Sequence, residues 1–339
     1  MKKIALIITG GTIGMNTSDG ESKIPDQPLN YEELNDLKSK DLSITSYVLC
    51  YKDSSSIGID IWQLLINKLS DLIPEYDGFI VSHGTDTMAY SAAAVAYNFG
   101  TDLECPIVFT GSCISPDLAD TDAWRNLKDS VDVACSDIGE VVVVFAGKVW
   151  RASRATKIVS ADNAIFTTPQ IESLAQIDKN KLVIQPHCRR TATPAKPLKD
   201  PARFSDNMIF INAMPAMNKI TLADFAKNPT WKLCLIQGMG EGNLTDELIN
   251  FIEVSFQHNK HIVIRPMHHS RVSSIYPPLK RSLDLGAILA EGYSLCSLWV
   301  KLSWLLGRIE LQKEQSYSQQ RHFIRQGLSE NIVGELVLS

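Results

Sequence analysis

Two short stretches carry residues that could do chemistry. The first is "TGGTIG", Thr9 to Gly14, which sets a threonine, Thr12, directly after two glycines. The second is "HGTDT", residues 83–87, which sets Thr85 and Asp86 where an apolar run gives way to a helical pattern. A β-branched residue between glycines is an odd choice for a plain turn, but it suits a hydroxyl held out for attack where a carbonyl can approach the backbone. A hydroxyl is a weak nucleophile at its own pKa and needs a nearby base. Thr85 and Asp86 also have an ordinary reading as helix-capping groups, and a helix N-terminus stabilises an anion such as a carboxylate or a tetrahedral oxyanion. Nucleotide binding fits less well. A P-loop ends in Gly-Lys-Ser/Thr, which is absent, and the dinucleotide fingerprint wants glycines at first, third and sixth positions, whereas these fall at 10, 11 and 14.

The elements that must position these residues alternate. "KIALIIT", "GFIVSHG", "PIVFTGS" and "EVVVVFAG" read as strands. Strands with no polar alternation are buried on both faces, as in a parallel sheet covered by helices. Between them, residues 59–73 carry apolar side chains at helical spacing, "MAYSAAAVAYNF" is alanine-rich, and "DAWRNLKDSVDVAC" is amphipathic. The order predicts an α/β fold: a larger N-terminal doubly wound, mostly parallel sheet domain over 1–184. A third glycine turn, "FTGS", follows the third strand. In open parallel sheets ligands bind beyond the carboxyl ends of the strands, so three such turns on one edge point to a site there. Residues 185–208, with prolines, basic residues and little apolar periodicity, read as a linker. Alternation resumes in "MIFINAM", "WKLCLIQGMGEGN", "DELINFIEVSFQ" and "HIVIRPM", and the end reads as helical, so 209–339 is expected to form a smaller C-terminal α/β domain.

Composition narrows the function classes. With 339 residues the chain suggests roughly two domains. A net charge of -5 with no Lys/Arg-rich block argues against nucleic acid or an anionic membrane as the main partner. No segment reaches the ~18 apolar residues of a membrane span, and the first apolar run stops too early for a signal peptide. The seven cysteines are odd in number, widely spaced and without a C-x-x-C, which argues against a disulfide framework and a structural zinc site and for free thiols in a reducing cytoplasm.

"TGGTIGM" and, about 70 residues later, "HGTDTMAY" resemble the two signatures of the bacterial-type L-asparaginases, and "DGFIVSHGTDTMAYSA" is most similar to the cytoplasmic type I branch. The resemblance continues through "DSSSIGIDIW", "TDAWRNL" and "RASRATK" and is weaker after the linker. It implies hydrolysis of L-asparagine to aspartate and ammonia through an acyl-enzyme, with no cofactor and no metal. Residue by residue it implies Thr12 as nucleophile and Thr85, Asp86 and Lys157 as a proton-relaying triad. A desolvated lysine near a carboxylate and a hydroxyl can relay a proton; read alone, Lys157 is an ordinary surface lysine. Asp53, Ser54 and Ser55 match the loop that grips the substrate's α-amino and α-carboxyl groups, and read alone they cap the helix from Asp60. Backbone N–H groups of the Gly11 and Thr85 turns would form the oxyanion hole. Asn243 matches an asparagine that reaches a neighbouring subunit's site, which implies a homodimer or homotetramer.

The chain also departs from this pattern. The segment after "TGGTIG" lacks the family's tyrosine: Lys23 stands near its place, and Tyr31 falls in a probable helix start. Cys113 stands where many relatives carry glutamine, Asp120-Thr121-Asp122 replaces an arginine-serine-aspartate stretch, and "RPMHHSRVSSIYPP" differs from the type I segment. His268 and His269, adjacent on a strand, would point to opposite faces rather than share a metal. These departures leave open a relative acting on another small amide, or a non-catalytic amino-acid-binding protein.

Overall fold

The computed structural model describes residues 1–18, 21–23, 41–100, 103–158, 165–168, 172–179, 181–185, 202–267, 272–312 and 314–336. Most of the segment after the first glycine turn, with Tyr31, therefore lies outside the described residues, as do Cys188, His268, His269, most of the expected linker and the side chain of Lys23. The chain forms two compact units. One is Met1–Pro201 with Ile332–Glu335; the other is Ala202–Asn331 with Leu336–Ser339.

The first unit is built on an eight-stranded sheet. Its parallel part is β1 (Lys2–Gly10), β4 (Leu42–Lys52), β5 (Gly78–Ser82), β6 (Ile107–Thr110) and β7 (Val141–Phe145). The antiparallel extension is β8 (Lys148–Arg151), β11 (Ala175–Asp178) and β12 (Lys181–Ile184), giving the order β12-β11-β8-β7-β6-β5-β1-β4. Two small antiparallel pairs stand apart: β2 (Asn16–Ser18) with β3 (Glu21–Lys23), and β9 (Thr156–Lys157) with β10 (Phe166–Thr167). β5, β6 and β7 are buried at every residue, as their unbroken apolar runs require. On one face α3 (Ala123–Ala134) packs Leu127, Val131 and Val133 onto Ile4, Leu6, Ile8, Ile80, Val108 and Val142. The alternate residues Ala5, Ile7, Phe79, Val81 and Phe109 are also wholly buried. α1 (Ile59–Leu72) and α2 (Met88–Phe99) are joined by a Trp62 Nε1–H donating to Ser91 Oγ at 3.0 Å.

The order places β4 on one side of β1 and β5 on the other. The winding therefore reverses at β1, and in doubly wound sheets the crevice at such a reversal is where ligands bind. Both threonine-bearing turns leave the strands at this point. The C-terminal stretch joins this unit beyond the end of β8: Ser153 donates to the Val333 carbonyl at 2.9 Å, and Glu335, fully buried, accepts from the N–H groups of Ile332 and Val333.

The second unit carries a four-stranded parallel sheet, β13 (Met208–Asn212), β14 (Leu233–Gln237), β15 (His261–Arg265) and β16 (Ile288–Leu289), in that order. α4 (Lys219–Lys227), α5 (Asp246–Gln257) and α6 (Pro277–Leu285) share a core on one face, and α7 (Leu295–Leu311) and α8 (Tyr317–Ser329) share one on the other. The expected α/β fold class is observed. One reading differs: "GAILAEGYSLCSLWVKLSWLLG" is not helical throughout. It opens with β16, and α7 begins only after Ser294, whose side chain caps it by accepting from the Ser297 N–H. Among the described residues no helix is long and apolar enough to cross a membrane.

Candidate active site

Glycine lets the turns at the carboxyl edge of the first sheet touch. Gly10 and Gly11 have φ of 108° and 76°, in the region that disfavours side chains. A Cβ on Gly11 would stand 2.3 Å from Gly84 Cα, and one on Gly84 would stand 2.7 Å from Ser54 Oγ. A Cβ on Gly111 would stand 2.3 Å from the His83 carbonyl oxygen. The turns after β1, β5 and β6 therefore pack backbone against backbone, and the turn after β4 presses the Ser54 side chain onto Gly84. Hydrogen bonds tie them further: Gly11 N–H to Lys52 O at 3.0 Å, His83 N–H to Thr110 O at 2.8 Å, and Thr9 Oγ1 to Ser82 O at 2.8 Å.

Thr12 opens a single 3-10 turn, Thr12–Gly14, with Gly11 as its N-cap, and is half-buried between the buried Gly11 and Ile13. Across the Gly11–Gly84 contact lie Thr85 and Asp86. They do not cap α2 as a sequence reading allows: its N-cap is Thr87, which makes no side-chain cap bond and donates instead to Ser54 O at 2.7 Å. Both meet Lys157, which β9 delivers. Its Nζ donates to Thr85 Oγ1 at 2.8 Å and to Asp86 Oδ1 at 2.5 Å. The Lys157 side chain is 34% exposed and that of Asp86 64%, so this is a solvent-facing pair of small worth to stability.

The Asp53–Ser55 turn is held by its own bonds. Asp53 accepts from Ser55 N–H at 2.9 Å and Ser55 Oγ at 2.6 Å, and the Ser55 hydroxyl, then its N–H, hold the Asp53 carboxyl below its ordinary pKa. Ser54 is buried against Gly84. α1 starts at Ile59 behind Gly58 with no side-chain cap, so this turn does not serve as its cap.

Two supports of the site had weak signals in the sequence. Asp122, within the altered Asp120–Asp122 stretch, accepts from the N–H groups of Cys113 and Ile114 at 3.0 Å each, and from Asn126 Nδ2 at 3.0 Å. It fixes the turn after β6. Burial, and then Asp122, push the Cys113 thiol pKa up, while the charge of Lys157 pulls it down. His83 is wholly buried beside Phe109, and burial pushes its pKa down to about 4. Its Nδ1 is 2.8 Å from the Gly84 carbonyl, which can only accept, so Nδ1 carries the proton.

Asn243 lies in the second unit, in the glycine-rich turn after β14. Its backbone is paired with Met239, and its Oδ1 is buried without a hydrogen-bond partner. Among the described residues no group of three or more His, Cys, Asp or Glu could hold a metal ion, and six cysteines are free thiols.

Residues 3–189 match the family model for the asparaginase N-terminal domain. The chain is 26% identical to L-asparaginase 1 of Escherichia coli, over 99% of this chain and 98% of that one. It is 27% identical to a component of the glutamyl-tRNA(Gln) amidotransferase of Methanobrevibacter smithii, over 91% of this chain and 72% of that one. The thermostable L-asparaginase from Thermococcus kodakarensis has the same fold, with a TM-score of 0.82 at 22% identity, covering 99% of this chain and 100% of that one. With a family model matched across more than half its length, the chain belongs to the asparaginase family.

Proposed function

We propose that this protein hydrolyses L-asparagine to L-aspartate and ammonia through a threonine acyl-enzyme. The observation that carries this reading is the Thr85–Lys157–Asp86 cluster, set across a glycine–glycine contact from the turn that presents Thr12. Thr12 Oγ1 attacks the side-chain amide carbon, and the developing oxyanion takes hydrogen bonds from backbone N–H groups of the Gly11 and Thr85 turns other than that of Gly11, which is bound to Lys52 O. The amide nitrogen gains a proton and leaves as ammonia. Water then attacks the ester, its proton passing to the Thr85–Lys157 pair, and Thr12 is regenerated. Asp53, Ser54 and Ser55 hold the α-groups of the substrate, with Asp86 on the α-ammonium; carboxylates suit a cation, and hydroxyls and N–H groups suit a carboxylate. No cofactor enters this scheme. Asn243 matches a family asparagine that reaches a neighbouring subunit's site, which makes a homodimer the minimal unit and a homotetramer its extension, in the cytoplasm.

A second reading, amide chemistry in the service of glutamyl-tRNA(Gln) transamidation, is favoured by the names of several relatives. The net charge of -5 weighs against direct tRNA contact. Ammonia release from L-asparagine and L-glutamine, wild type beside Thr12→Ala, tests the first reading. Release that vanishes in the variant supports it. No release from well-folded wild type overturns it, and thermal stabilisation by aspartate without turnover would then identify an amino-acid-binding protein.

A further inference from the structure

A cavity of about 510 Å³ opens beside α3, walled by Trp124, Arg125, Lys128 and Asp129 of that helix, by Ile177 of β11 and by Lys179 just beyond it. It lies wholly in the first unit. Its wall carries three cations, in a chain whose net charge is -5. Lys128 and Lys179 are exposed. The Arg125 guanidinium lies against a glycine of the turn after β7: a Cβ on Gly147 would stand 2.9 Å from Arg125 Nη2. The half-buried Trp124 indole is held by its Nε1–H, which donates to Pro116 O at 3.2 Å, so an oriented ring stands beside these charges. Asp129 is the anomaly in this wall. It is 4% exposed, and its Oδ2 is buried without a hydrogen-bond partner. Arg125 Nε stands 3.8 Å away, too far for a hydrogen bond, on a side chain 66% exposed. Burial raises the carboxyl pKa to about 6; Arg125 and Lys128 pull against that, and Asp132 adds to it. The group is therefore mostly ionised above pH 7. A buried carboxylate oxygen without a donor costs free energy, and an alanine would serve the helix better. Folding accounts for the apolar part of this wall but not for its carboxylate.

We propose that this cavity binds a guanine mononucleotide, with Asp129 reading the base and Arg125, Lys128 and Lys179 holding the phosphate. An ionised carboxylate only accepts hydrogen bonds. Guanine offers it two adjacent donors, N1–H and the N2 amino group, whereas adenine sets an acceptor, N1, beside its one amino group. The flat base stacks on the Trp124 indole, and guanidinium and ammonium groups meet the phosphate oxygens. Arg125, already mostly exposed, turns from Asp129 to the phosphate and opens the carboxylate to the base. The volume lies within the roughly 300–1,000 Å³ of small-molecule sites. The site is independent of the proposed amide hydrolysis.

The test is isothermal titration of the full chain with GMP, AMP and inorganic phosphate. GMP should bind once per chain, and AMP at least ~10-fold more weakly, because the base edge meets a charged acceptor. Asp129→Asn should erase that preference while its melting temperature stays equal or rises, since an unsatisfied carboxylate is lost. Arg125→Ala should weaken both nucleotides by a similar factor and leave the preference standing. GMP that gives no binding heat overturns the proposal. So does inorganic phosphate bound as tightly as GMP, or a guanine preference that survives in Asp129→Asn. If Asp129→Asn does not fold, Lys179→Ala at the exposed position beyond β11 carries the test: weaker GMP binding supports the site, and wild-type affinity overturns it.

Discussion

Both units end parallel strands in glycine-rich turns, yet the two edges use glycine differently. In the first unit the close approaches run between turns of different strands: Gly11 on Gly84, Gly84 on Ser54, Gly111 on His83. In the second unit the tight approach is internal to one turn, where a Cβ on Gly238 would stand 2.4 Å from Gly242 C, and Gly240 has open space beside it. The polar groups differ in the same way. In the second unit Gln237 donates to Asn212 Oδ1 at 3.1 Å, Arg265 donates to Gln237, and Glu241 accepts from the N–H groups of Ser273 and Ser274. They spend their hydrogen bonds on one another. In the first unit Thr85 and Asp86 meet Lys157 across turns. A glycine-rich turn is thus a site signal when it lets separate turns converge, and a folding device when it closes on itself.

The largest effects should separate chemistry from stability in the first unit. Thr12→Ala and Lys157→Met should each lower ammonia release by at least ~1,000-fold, while chemical denaturation shows a stability change within about 1 kcal/mol, because the Lys157–Asp86 pair faces solvent. Equal loss of stability would break the contrast. Next, Gly11→Ala should cost more than about 3 kcal/mol and abolish release, since the new Cβ meets the Gly84 backbone at 2.3 Å on a residue with φ of 76°.

His83 gives a pH-dependent effect of similar size. Its folded pKa, about 4, lies below the ordinary value of 6.5, so the unfolded chain binds more protons between those values. Stability from neutral His83 is present above about pH 6.5 and is lost as pH falls towards 4, amounting to about 3 kcal/mol. His83→Asn, which keeps a donor for Gly84 O and does not titrate, should flatten denaturation midpoints over that window. The smallest effect belongs to the second unit. Gly240→Ala, with φ of 52° but no neighbour within 4 Å, should cost about 1 kcal/mol and leave turnover unchanged.

Much of this is legible in the sequence, for stated reasons. The runs that form β5, β6 and β7 show no alternation because helices cover both faces. The three glycine turns announce the edge where they meet. β4 is not legible, because an edge strand is only half-buried and "LSITSYVLCYK" mixes polar and apolar residues. β8, β11 and β12 are not legible either: four residues each give too short a pattern. Lys157 sits on a two-residue strand, where no periodicity can exist, so only resemblance picks it out. Asp122 is visible as a departure from family pattern, but not as the clamp of the turn after β6.

The return of Ile332–Glu335 to the first unit bears on how the chain is made. The ribosome releases Ser153 about midway through synthesis, yet the carbonyl that it bonds belongs to Val333 and emerges more than 170 residues later. At roughly 5–20 residues per second this is a wait of many seconds. During it, the first unit lacks part of its own wall. A fragment cut at the boundary of the family match would stay in that unfinished state permanently, so the N-terminal half is not expected to be harvested as a free-standing domain.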